Sequence, residues 1–307
     1  MEQNVKDLII IGSGPAGLSA SIYGARAMLN ELVIEKEAFS GGQIVKTDRV
    51  DNYLGLYGIN GYDMAMKFRE HADSLEVPFK EGLVTELRDK GDYKEVVLED
   101  GETLSAKAVI IATGAEYRKL GCEGEERLQG AGVSYCATCD GAFFRNKTVA
   151  VVGGGDVALE DALYLANLCK KVYLIHRRQE LRGAKVLQQR VMATENITFM
   201  PYYEIKEICG ESAVERIAII QNQTKEEEGL EVSGVFIAVG MVPKGDFAKD
   251  VVTFDDYGYI KADETCRTNV KGIYAVGDIR TTPLRQIITA VSDGAVAITS
   301  IEKDWNV

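Results

Sequence analysis

Two segments of the chain repeat one design: an apolar strand leads directly into a glycine-rich turn, and a helical pattern follows. The turns occupy residues 12–17 and 153–158. Each is followed by a second β-rich run, at residues 32–34 and 172–175, which completes a strand-helix-strand unit and predicts a parallel sheet. The repetition therefore predicts an α/β chain with two nucleotide-binding units of one type.

Two further apolar strands, at residues 109–114 and 235–240, end in small-residue turns and give each unit a closing strand. A last strand, at 273–276, has no complete unit of its own. The 307 residues suit about two domains at roughly 150 residues each. We predict two three-layer, Rossmann-like domains with parallel central sheets, the second inserted into the first. The predicted bounds are 1–116 with 246–307, and 117–245; residues 89–92 and 225–229 are predicted hairpin tips.

Composition excludes several classes of partner. The net charge of −12 repels nucleic acid phosphates and acidic membrane surfaces. Residues 1–7 lack the basic start and apolar core of a signal peptide, and no apolar run reaches the roughly 18 residues of a membrane span. We expect a cytoplasmic protein without nucleic acid or membrane partners. Because thiols stay reduced there, four of the six cysteines are interpreted as small apolar residues: Cys122, Cys169, Cys209 and Cys266.

The first glycine turn matches the pattern G-x-G-x-x-G. In this pattern the first glycine permits a tight turn, the second lets the backbone approach a pyrophosphate, and the third lets helix and strand pack closely. The pyrophosphate lies at the helix N-terminus. An acid at the end of the second strand can accept hydrogen bonds from ribose hydroxyls. The candidate residues of this dinucleotide site are Gly12, Ser13, Gly14, Pro15, Ala16, Gly17 and Glu35.

The second turn keeps the glycines but not the acid, because the second strand ends in basic residues. A guanidinium forms bidentate hydrogen bonds with a 2′-phosphate, which a carboxylate would repel. This site is therefore predicted to prefer NADPH to NADH, with FAD in the first site; the alternative is a solvated basic helix start. The candidate residues are Gly153, Gly155, Asp156, Val157, Ala158, His176, Arg177, Arg178 and Arg182.

Cys136 and Cys139 form a C-x-x-C pair just before the second unit. Structural zinc would need two more ligands, but there is no second C-x-x-C, and His71 and His176 are isolated from the pair. A dithiol pair is favoured, because this spacing lets the sulfurs close a small ring. Asp140 follows directly and is either a general acid or base for sulfur exchange or the cap of a turn.

Together these residues resemble the low-molecular-weight bacterial thioredoxin reductases across essentially the whole chain. The matching phrases are G-S-G-P-A-G at 12–17, G-G-Q at 41–43, V-S-Y-C-A-T-C-D-G at 133–141, G-G-G at 153–155, H-R-R at 176–178 with Arg182, and G-D at 277–278 followed by R-Q at 285–286. The resemblance implies an NADPH-dependent, FAD-containing thioredoxin-disulfide reductase that acts on thioredoxin or a thioredoxin-like protein as a homodimer. Beyond the first turn, it implies an FAD site formed by Gly42, Gln43, Asn52, Ala112, Thr113, Gly114, Gly277, Asp278, Arg285, Gln286 and Ile287.

The resemblance also implies roles for the sulfur site. Cys139 would face the flavin, Cys136 would exchange with the partner and Asp140 would supply protons. The inserted domain would rotate so that nicotinamide and disulfide reach the flavin in turn. An alternative keeps this architecture but takes electrons from another donor, such as reduced ferredoxin. Three departures from the family pattern leave partner choice and NADPH affinity open: Ala131 for a basic residue, Val157 for a hydroxyl residue, and Lys244-Gly245 for Asn-Thr.

Overall fold

The computed structural model describes residues 5–47 and 49–305. The chain divides into two compact units: unit 1 comprises Met1–Glu116 and Val242–Val307, and unit 2 comprises Tyr117–Met241. The prediction about a signal peptide falls partly on residues 1–4, which lie outside the described residues.

The strands and helices are as follows. The strands are β1 (Lys6–Ile11), β2 (Glu31–Glu35), β3 (Phe79–Glu81), β4 (Val84–Asp89), β5 (Lys94–Leu98), β6 (Thr103–Ile111), β7 (Ala115–Tyr117), β8 (Val133–Ser134), β9 (Thr148–Val152), β10 (Lys171–His176), β11 (Ile197–Pro201), β12 (Tyr203–Cys209), β13 (Arg216–Gln221), β14 (Glu227–Glu231), β15 (Gly234–Ile237), β16 (Met241–Pro243) and β17 (Ile273–Ala275). The helices are α1 (Pro15–Arg26), α2 (Gly61–Asp73), α3 (Ala137–Asp140), α4 (Asp156–Ala166), α5 (Lys185–Ala193) and α6 (Ile287–Trp305).

Unit 1 contains a seven-stranded sheet with the order β3-β2-β1-β6-β5-β4, and β17 also pairs with β6. The strands β3, β2, β1, β6 and β17 are parallel, whereas β5 and β4 add an antiparallel hairpin. The long strand β6 accommodates both partners because its first half pairs with β5 and its last three residues pair with β17. The carboxyl ends of β1, β2 and β6 therefore share one edge of the sheet, where ligands bind in folds of this type.

Strand β1 shows why this sheet is buried on both faces. Leu8 and Ile10 pack into one core with α1 and α6, whereas Ile9 and Ile11 pack into a second core on the opposite face. Alternate side chains of a strand point to opposite faces, so an uninterrupted apolar run suits a sheet covered on both sides. The unit consequently has three layers.

Unit 2 repeats the arrangement with a wholly parallel sheet of order β11-β10-β9-β15-β8. One face packs against α4 and α5, and the other packs against the antiparallel meander β12-β13-β14. The predicted fold class, with one nucleotide-type α/β domain inserted into another, is confirmed. None of the helices in the described part of the chain is long and apolar enough to cross a membrane.

The two predicted hairpin tips differ in outcome. Residues 89–92 do connect β4 to β5, as predicted. The prediction of a tip at 225–229 is wrong in position, because Glu227 already belongs to β14 and pairs with Ile220. The side chain of Gln221 closes the turn earlier, accepting hydrogen bonds from the backbone N–H groups of Gln223 and Thr224 at 2.6 and 2.7 Å.

Glu31 is a buried carboxyl at the start of β2. It is 3% exposed, and neither of its oxygens has a hydrogen-bond partner among the described residues. Its Oε2 lies against Gly24 of α1, where a Cβ would come within 1.9 Å of it. Burial raises the pKa of Glu31 from 4.5 to about 8. The Glu31 carboxyl group should therefore stay protonated in the folded protein at neutral pH.

This raised pKa predicts a pH-dependent stability. Between the unfolded value of 4.5 and the folded value of about 8, the folded state binds more protons, so the free energy of unfolding falls as the pH rises. Between pH 5 and 7 the loss is about 2–3 kcal/mol. As the pH rises across this range, the unfolding midpoint of the wild type should fall relative to that of Glu31→Gln. Glu37→Gln, a substitution at an exposed position, serves as control. Parallel curves for wild type and Glu31→Gln would contradict the prediction.

Candidate active site

The first glycine turn joins β1 to α1 and has no space for a side chain at two of its glycines. A Cβ on Gly12, where φ is +101°, would lie 2.6 Å from the carbonyl oxygen of Ala112. A Cβ on Gly17 would lie 1.9 Å from the carbonyl oxygen of Gly12. At Gly14 a Cβ would meet none of the described heavy atoms within 4 Å. The first and third glycines therefore allow close packing, and the second leaves the backbone open to a ligand.

The N-terminus of α1 lies at this opening. Gly14 is the N-cap, Pro15 follows it, and no side chain within the described ranges caps the helix. The unused N–H groups and the positive end of the helix dipole suit a pyrophosphate. The turn therefore fits the dinucleotide predicted for it.

Glu35, at the end of β2, is fixed beside the same turn. Its Oε2 accepts hydrogen bonds from both the backbone N–H and the hydroxyl of Ser13, each at 2.7 Å. The backbone N–H of Glu37 donates to Oε1 at 3.2 Å. Ser13 thus orients the carboxylate that the sequence analysis assigned to ribose recognition.

The loop after β2 returns to the first glycine turn. The backbone N–H of Gly41 donates to the carbonyl oxygen of Ser13 at 2.9 Å. A Cβ on Gly42 would lie 3.4 Å from the Cα of Gly14. The G-G-Q segment is therefore part of the same site as the first turn.

Side-chain hydrogen bonds join further residues predicted for this site. Asn52 Nδ2 donates to Gln286 Oε1 at 2.9 Å, although the two residues are 234 positions apart. Gln43 Nε2 donates to the carbonyl oxygen of Ala115, directly after the predicted residues 112–114. The Thr113 hydroxyl donates to the carbonyl oxygen of residue 244 at 2.7 Å.

The G-D pair of the C-terminal segment also reaches α1. Gly277, with φ of +71°, begins a short 3-10 turn, and a Cβ on it would lie 3.0 Å from the Cβ of Ala16. Burial raises the pKa of Asp278 to about 6, and the Arg285 charge opposes this shift. Ile287 begins α6 just beyond them. Unit 1 thus brings residues from the first turn, the G-G-Q loop and the C-terminal segment to one place.

Two residues that the sequence analysis did not name stabilise the Gly277 turn. Asp293 Oδ2 accepts hydrogen bonds from Gly277 N–H at 3.0 Å and from Arg280 Nε at 2.8 Å. Its Oδ1 accepts a third from Arg280 Nη2 at 3.1 Å. The Arg280 and Asp293 side chains are only 10% and 14% exposed. No local pattern marks this pair, because its members come from a turn and from the middle of a helix.

The second glycine turn joins β9 to α4 in the same way. A Cβ on Gly153 would lie 2.3 Å from the carbonyl oxygen of Ala238, whereas one on Gly155 would meet no described atom within 4 Å. Ala158, which replaces the third glycine, is fully buried. Val157 is 61% exposed at the start of α4. The open position and the uncapped N-terminus of α4 fit a second dinucleotide.

The loop that carries the predicted arginines is tied to this turn. The backbone N–H groups of Arg182 and Gly183 donate to the carbonyl oxygen of Gly154 at 2.6 and 3.2 Å. Asp156 Oδ1 accepts a hydrogen bond from the backbone N–H of Ala184 at 2.7 Å. The carboxylate of Asp156 therefore holds the loop against the first turn of α4.

Three arginines in this loop are exposed and form no ion pair with the described residues. The side chains of Arg177, Arg178 and Arg182 are exposed, and none forms a hydrogen bond or ion pair with a residue in the described ranges. His176 is buried next to them, and a Cβ on Gly154 would lie 2.4 Å from its ring. Burial lowers the pKa of His176, and the three arginine charges lower it further. The cluster therefore presents arginine charge without a protein counter-ion, as an anion site requires.

Cys136 and Cys139 are joined as a disulfide at the short helix α3. Cys136 is the N-cap of α3, and both cysteines are partly exposed. Ala137 between them is buried in the core that includes α4. The disulfide is thus fixed to the scaffold of the second nucleotide turn but remains accessible.

Ser134, another residue not named from the sequence, contacts both ends of this loop. Its hydroxyl donates to Asp140 Oδ2 at 2.5 Å and accepts a hydrogen bond from the backbone N–H of Cys136 at 3.1 Å. The Asp140 carboxyl group is consequently held toward the strand that precedes the cysteines.

Tyr135 connects the sulfur site to the start of unit 2. Its hydroxyl donates to the buried Glu125 at 2.7 Å, and its ring stacks on Tyr117 with centroids 5.1 Å apart. Glu125 also accepts hydrogen bonds from the backbone N–H groups of Leu120 and Gly121 at 3.0 and 2.7 Å. The segment that enters unit 2 is thus attached to the residue before Cys136.

Comparison with known proteins matches these features. The family model described as pyridine nucleotide-disulphide oxidoreductase matches residues 6–294. The thioredoxin reductase of Bacillus subtilis (strain 168) is 42% identical over 302 residues, which cover 98% of this chain and 95% of that protein. The chain belongs to the pyridine nucleotide-disulphide oxidoreductase family.

Solved structures of family relatives agree. The crystal structure of thioredoxin reductase from Streptococcus pyogenes MGAS5005 has a TM-score of 0.94 at 44% identity and covers 99% of both chains. Thioredoxin reductase from Giardia duodenalis has a TM-score of 0.95 at 33% identity, covering 99% of this chain and 100% of the other. The family resemblance drawn from the sequence is therefore confirmed.

Proposed function

We propose that this protein is an NADPH-dependent thioredoxin-disulfide reductase that contains FAD. The observation that carries the proposal is the partly exposed Cys136–Cys139 disulfide, located in the same unit as a nucleotide turn with three exposed arginines that form no ion pair with any described residue. Relatives at 42–44% identity over nearly the whole chain are named thioredoxin reductases. These three arginines favour NADPH over reduced ferredoxin, since a protein donor has no 2′-phosphate for them to bind.

Unit 1 is proposed as the FAD domain. Its first glycine turn is open at Gly14, and Glu35 is oriented there as a hydrogen-bond acceptor for a ribose. Asp278, Arg285 and the other residues of the C-terminal segment would bind the rest of the cofactor. When bound, FAD accepts a hydride from NADPH and passes two electrons to the disulfide.

Unit 2 is proposed as the NADPH domain. The pyrophosphate would bind at Gly155 and the N-terminus of α4, and Arg177, Arg178 and Arg182 would bind the 2′-phosphate. Because nicotinamide and disulfide both belong to unit 2 and both must reach the flavin, we propose that unit 2 changes its orientation during turnover. The chain passes from unit 1 to unit 2 within β7 and returns to unit 1 within β16.

The sulfur exchange conserves atoms and charge. The Cys136 thiolate attacks one sulfur of the partner's disulfide, which forms a mixed disulfide and releases one partner thiolate. Cys139 then gives its proton to Asp140 and attacks Cys136, so the bond between Cys136 and the partner breaks. The departing partner thiolate receives the electron pair and takes the proton from Asp140. The protein ends with its disulfide restored, and the partner has gained two electrons and the one proton from Cys139; its first-released thiolate takes a second proton from solvent, which received the Cys136 proton when that thiolate formed.

The partner is proposed to be thioredoxin or a thioredoxin-like protein, and the enzyme is proposed to act as a homodimer in the cytoplasm. Phe143, which is 46% exposed, follows the disulfide closely and offers apolar surface there. Ala131 supplies no charge at the position where the family often has a basic residue. Selectivity among thioredoxin-like proteins therefore has to come from other contacts.

The cofactor assignment of unit 2 predicts a selective kinetic defect. Replacing Arg177 and Arg178 together with alanine should raise the KM for NADPH about 30-fold, because charge-assisted hydrogen bonds are worth about 2 kcal/mol in total. The KM for NADH should change by less than about threefold. Steady-state assays with both cofactors measure this, with Arg190→Ala on α5 as control. Equal changes for NADPH and NADH would contradict the 2′-phosphate role.

Anaerobic reduction of the bound flavin tests the proposed function directly. NADPH should bleach the flavin absorbance rapidly, and NADH should bleach it slowly. Reduced ferredoxin should bleach it no faster than a control to which no electron donor is added. Addition of oxidised thioredoxin should then restore the absorbance. Rapid bleaching by reduced ferredoxin but not by NADPH would establish the alternative donor, and colourless protein that takes up no FAD would refute the assignment of unit 1.

A further inference from the structure

The buried hydroxyl of Ser134 lies between the two ends of the loop 134–140, which carries both sulfurs. Ser134 ends β8 and is 5% exposed. Its Oγ is 2.5 Å from Asp140 Oδ2 and 3.1 Å from the backbone nitrogen of Cys136. The Cys136 N–H can only donate, so it occupies a lone pair of the hydroxyl. Two acceptors lie within reach of the hydroxyl proton, the carbonyl oxygen of Cys136 at 3.3 Å and Asp140 Oδ2 at 2.5 Å, and the closer, charged oxygen takes it.

This hydrogen bond restricts where the carboxylate can lie. Asp140 is the last residue of α3 and follows Cys139 directly, whereas Ser134 precedes Cys136 by two positions. Their side chains therefore close a ring around the segment that carries both sulfurs. A hydroxyl that donates to a carboxylate at such a short distance forms a strong, charge-assisted hydrogen bond and favours the ionised form.

The backbone contact adds a second constraint. Because Cys136 N–H donates to the same oxygen, any rotation of the Ser134 side chain would break both hydrogen bonds at once. Pairing of β8 with β15 fixes the backbone of Ser134, through the register Phe236 to Ser134. The hydroxyl is thus anchored to the central sheet of unit 2, and the carboxylate is anchored to the hydroxyl.

We propose that Ser134 is a positioning residue for the sulfur exchange: its hydroxyl holds the Asp140 carboxylate where it takes the proton from Cys139 and delivers it to the departing partner sulfur. This inference rests on the proposed function, in which Asp140 carries that proton. Ser134 itself gives up no proton in the overall reaction and acts only through Asp140.

A double-mutant cycle tests this role. Thioredoxin reduction is measured from pH 5.5 to 9 for wild type, Ser134→Ala, Asp140→Asn and the double variant, with flavin reduction by NADPH as an internal reference. Ser134→Ala should lower kcat about 10-fold, because a hydrogen bond to a charged group is worth about 1.5 kcal/mol. The limb of the pH profile that disappears in Asp140→Asn should move to higher pH in Ser134→Ala, because the carboxylate loses a hydrogen-bond donor. In the Asp140→Asn background, Ser134→Ala should cost less than about twofold.

Ser134→Thr, which keeps the hydroxyl, is the matched variant and should retain kcat within about threefold and the wild-type pH profile. Ser134→Gly replaces Ser134→Ala if the latter does not fold. An equal cost of Ser134→Ala in both backgrounds, an unmoved pH profile, or an equal loss in Ser134→Thr would overturn the inference. If the wild type reduces thioredoxin and any of these results is found, only the inference about Ser134 is overturned. If the wild type does not reduce thioredoxin, the proposed function is overturned.

Discussion

Replacing Cys136 or Cys139 with serine is expected to lower thioredoxin-linked turnover by more than about 10³-fold while NADPH still reduces the flavin. Serine preserves the size of the side chain, but its hydroxyl is not ionised at neutral pH and cannot form a disulfide, whereas a thiolate is the attacking group in sulfur exchange. Two assays separate the effects: thioredoxin-dependent NADPH oxidation, and anaerobic flavin reduction observed by absorbance.

Cys122→Ser is the matched control for these variants. Cys122 is a half-buried thiol of the same unit that takes part in no disulfide, and burial raises its pKa to about 11. Its replacement should leave turnover within about twofold, since a protonated thiol is a poor nucleophile. Full turnover in Cys136→Ser or Cys139→Ser would remove the dithiol from the mechanism.

Replacing Asp293 with alanine is expected to destabilise unit 1 by about 3–5 kcal/mol, because Arg280 would keep a buried charge without its partner. The same substitution removes the acceptor of the Gly277 N–H, so the turn that begins with Gly277 and Asp278 should lose its fixed conformation. Purified protein should then retain less FAD. Unfolding midpoints and the ratio of flavin to protein absorbance measure both effects.

Two further variants make this result specific. Ser292→Ala, at the exposed neighbouring position of α6, should change the free energy of unfolding by less than about 0.5 kcal/mol. Replacing Arg280 and Asp293 together with methionine and leucine should cost less than Asp293→Ala, since no unpaired charge remains. A single variant as stable and as flavin-rich as the wild type would refute the role of the pair.

The parts of the site that follow from local sequence were predictable. In each glycine turn, strand, glycines and helix are adjacent in sequence, and the chemical reasons for the glycines are steric effects over a few residues. The clashes that a Cβ would make at Gly12, Gly17 and Gly153 reproduce that reasoning. The family could be inferred from such motifs because they are numerous and occur in a fixed order.

The contacts that hold these motifs in place were not predictable. Asp293 and Arg280 meet because α6 folds back over the Gly277 turn. From sequence alone, an acidic residue within a helix is expected to be exposed. Glu31 likewise reads as a solvated strand residue, but the absence of a side chain at Gly24 leaves it buried against α1. Ser134 is an unremarkable residue until the structure shows that it contacts Asp140.

Anaerobic reductive titration with thiol counting tests most directly whether electrons pass from the nucleotide units to the sulfur pair. Wild-type protein should take up two equivalents of NADPH per flavin, one pair of electrons for FAD and one for the disulfide, and should gain two titratable thiols. Cys139→Ser should take up only one equivalent. Saturation of the wild type at one equivalent, with Cys136 and Cys139 still joined, would contradict the proposed electron path.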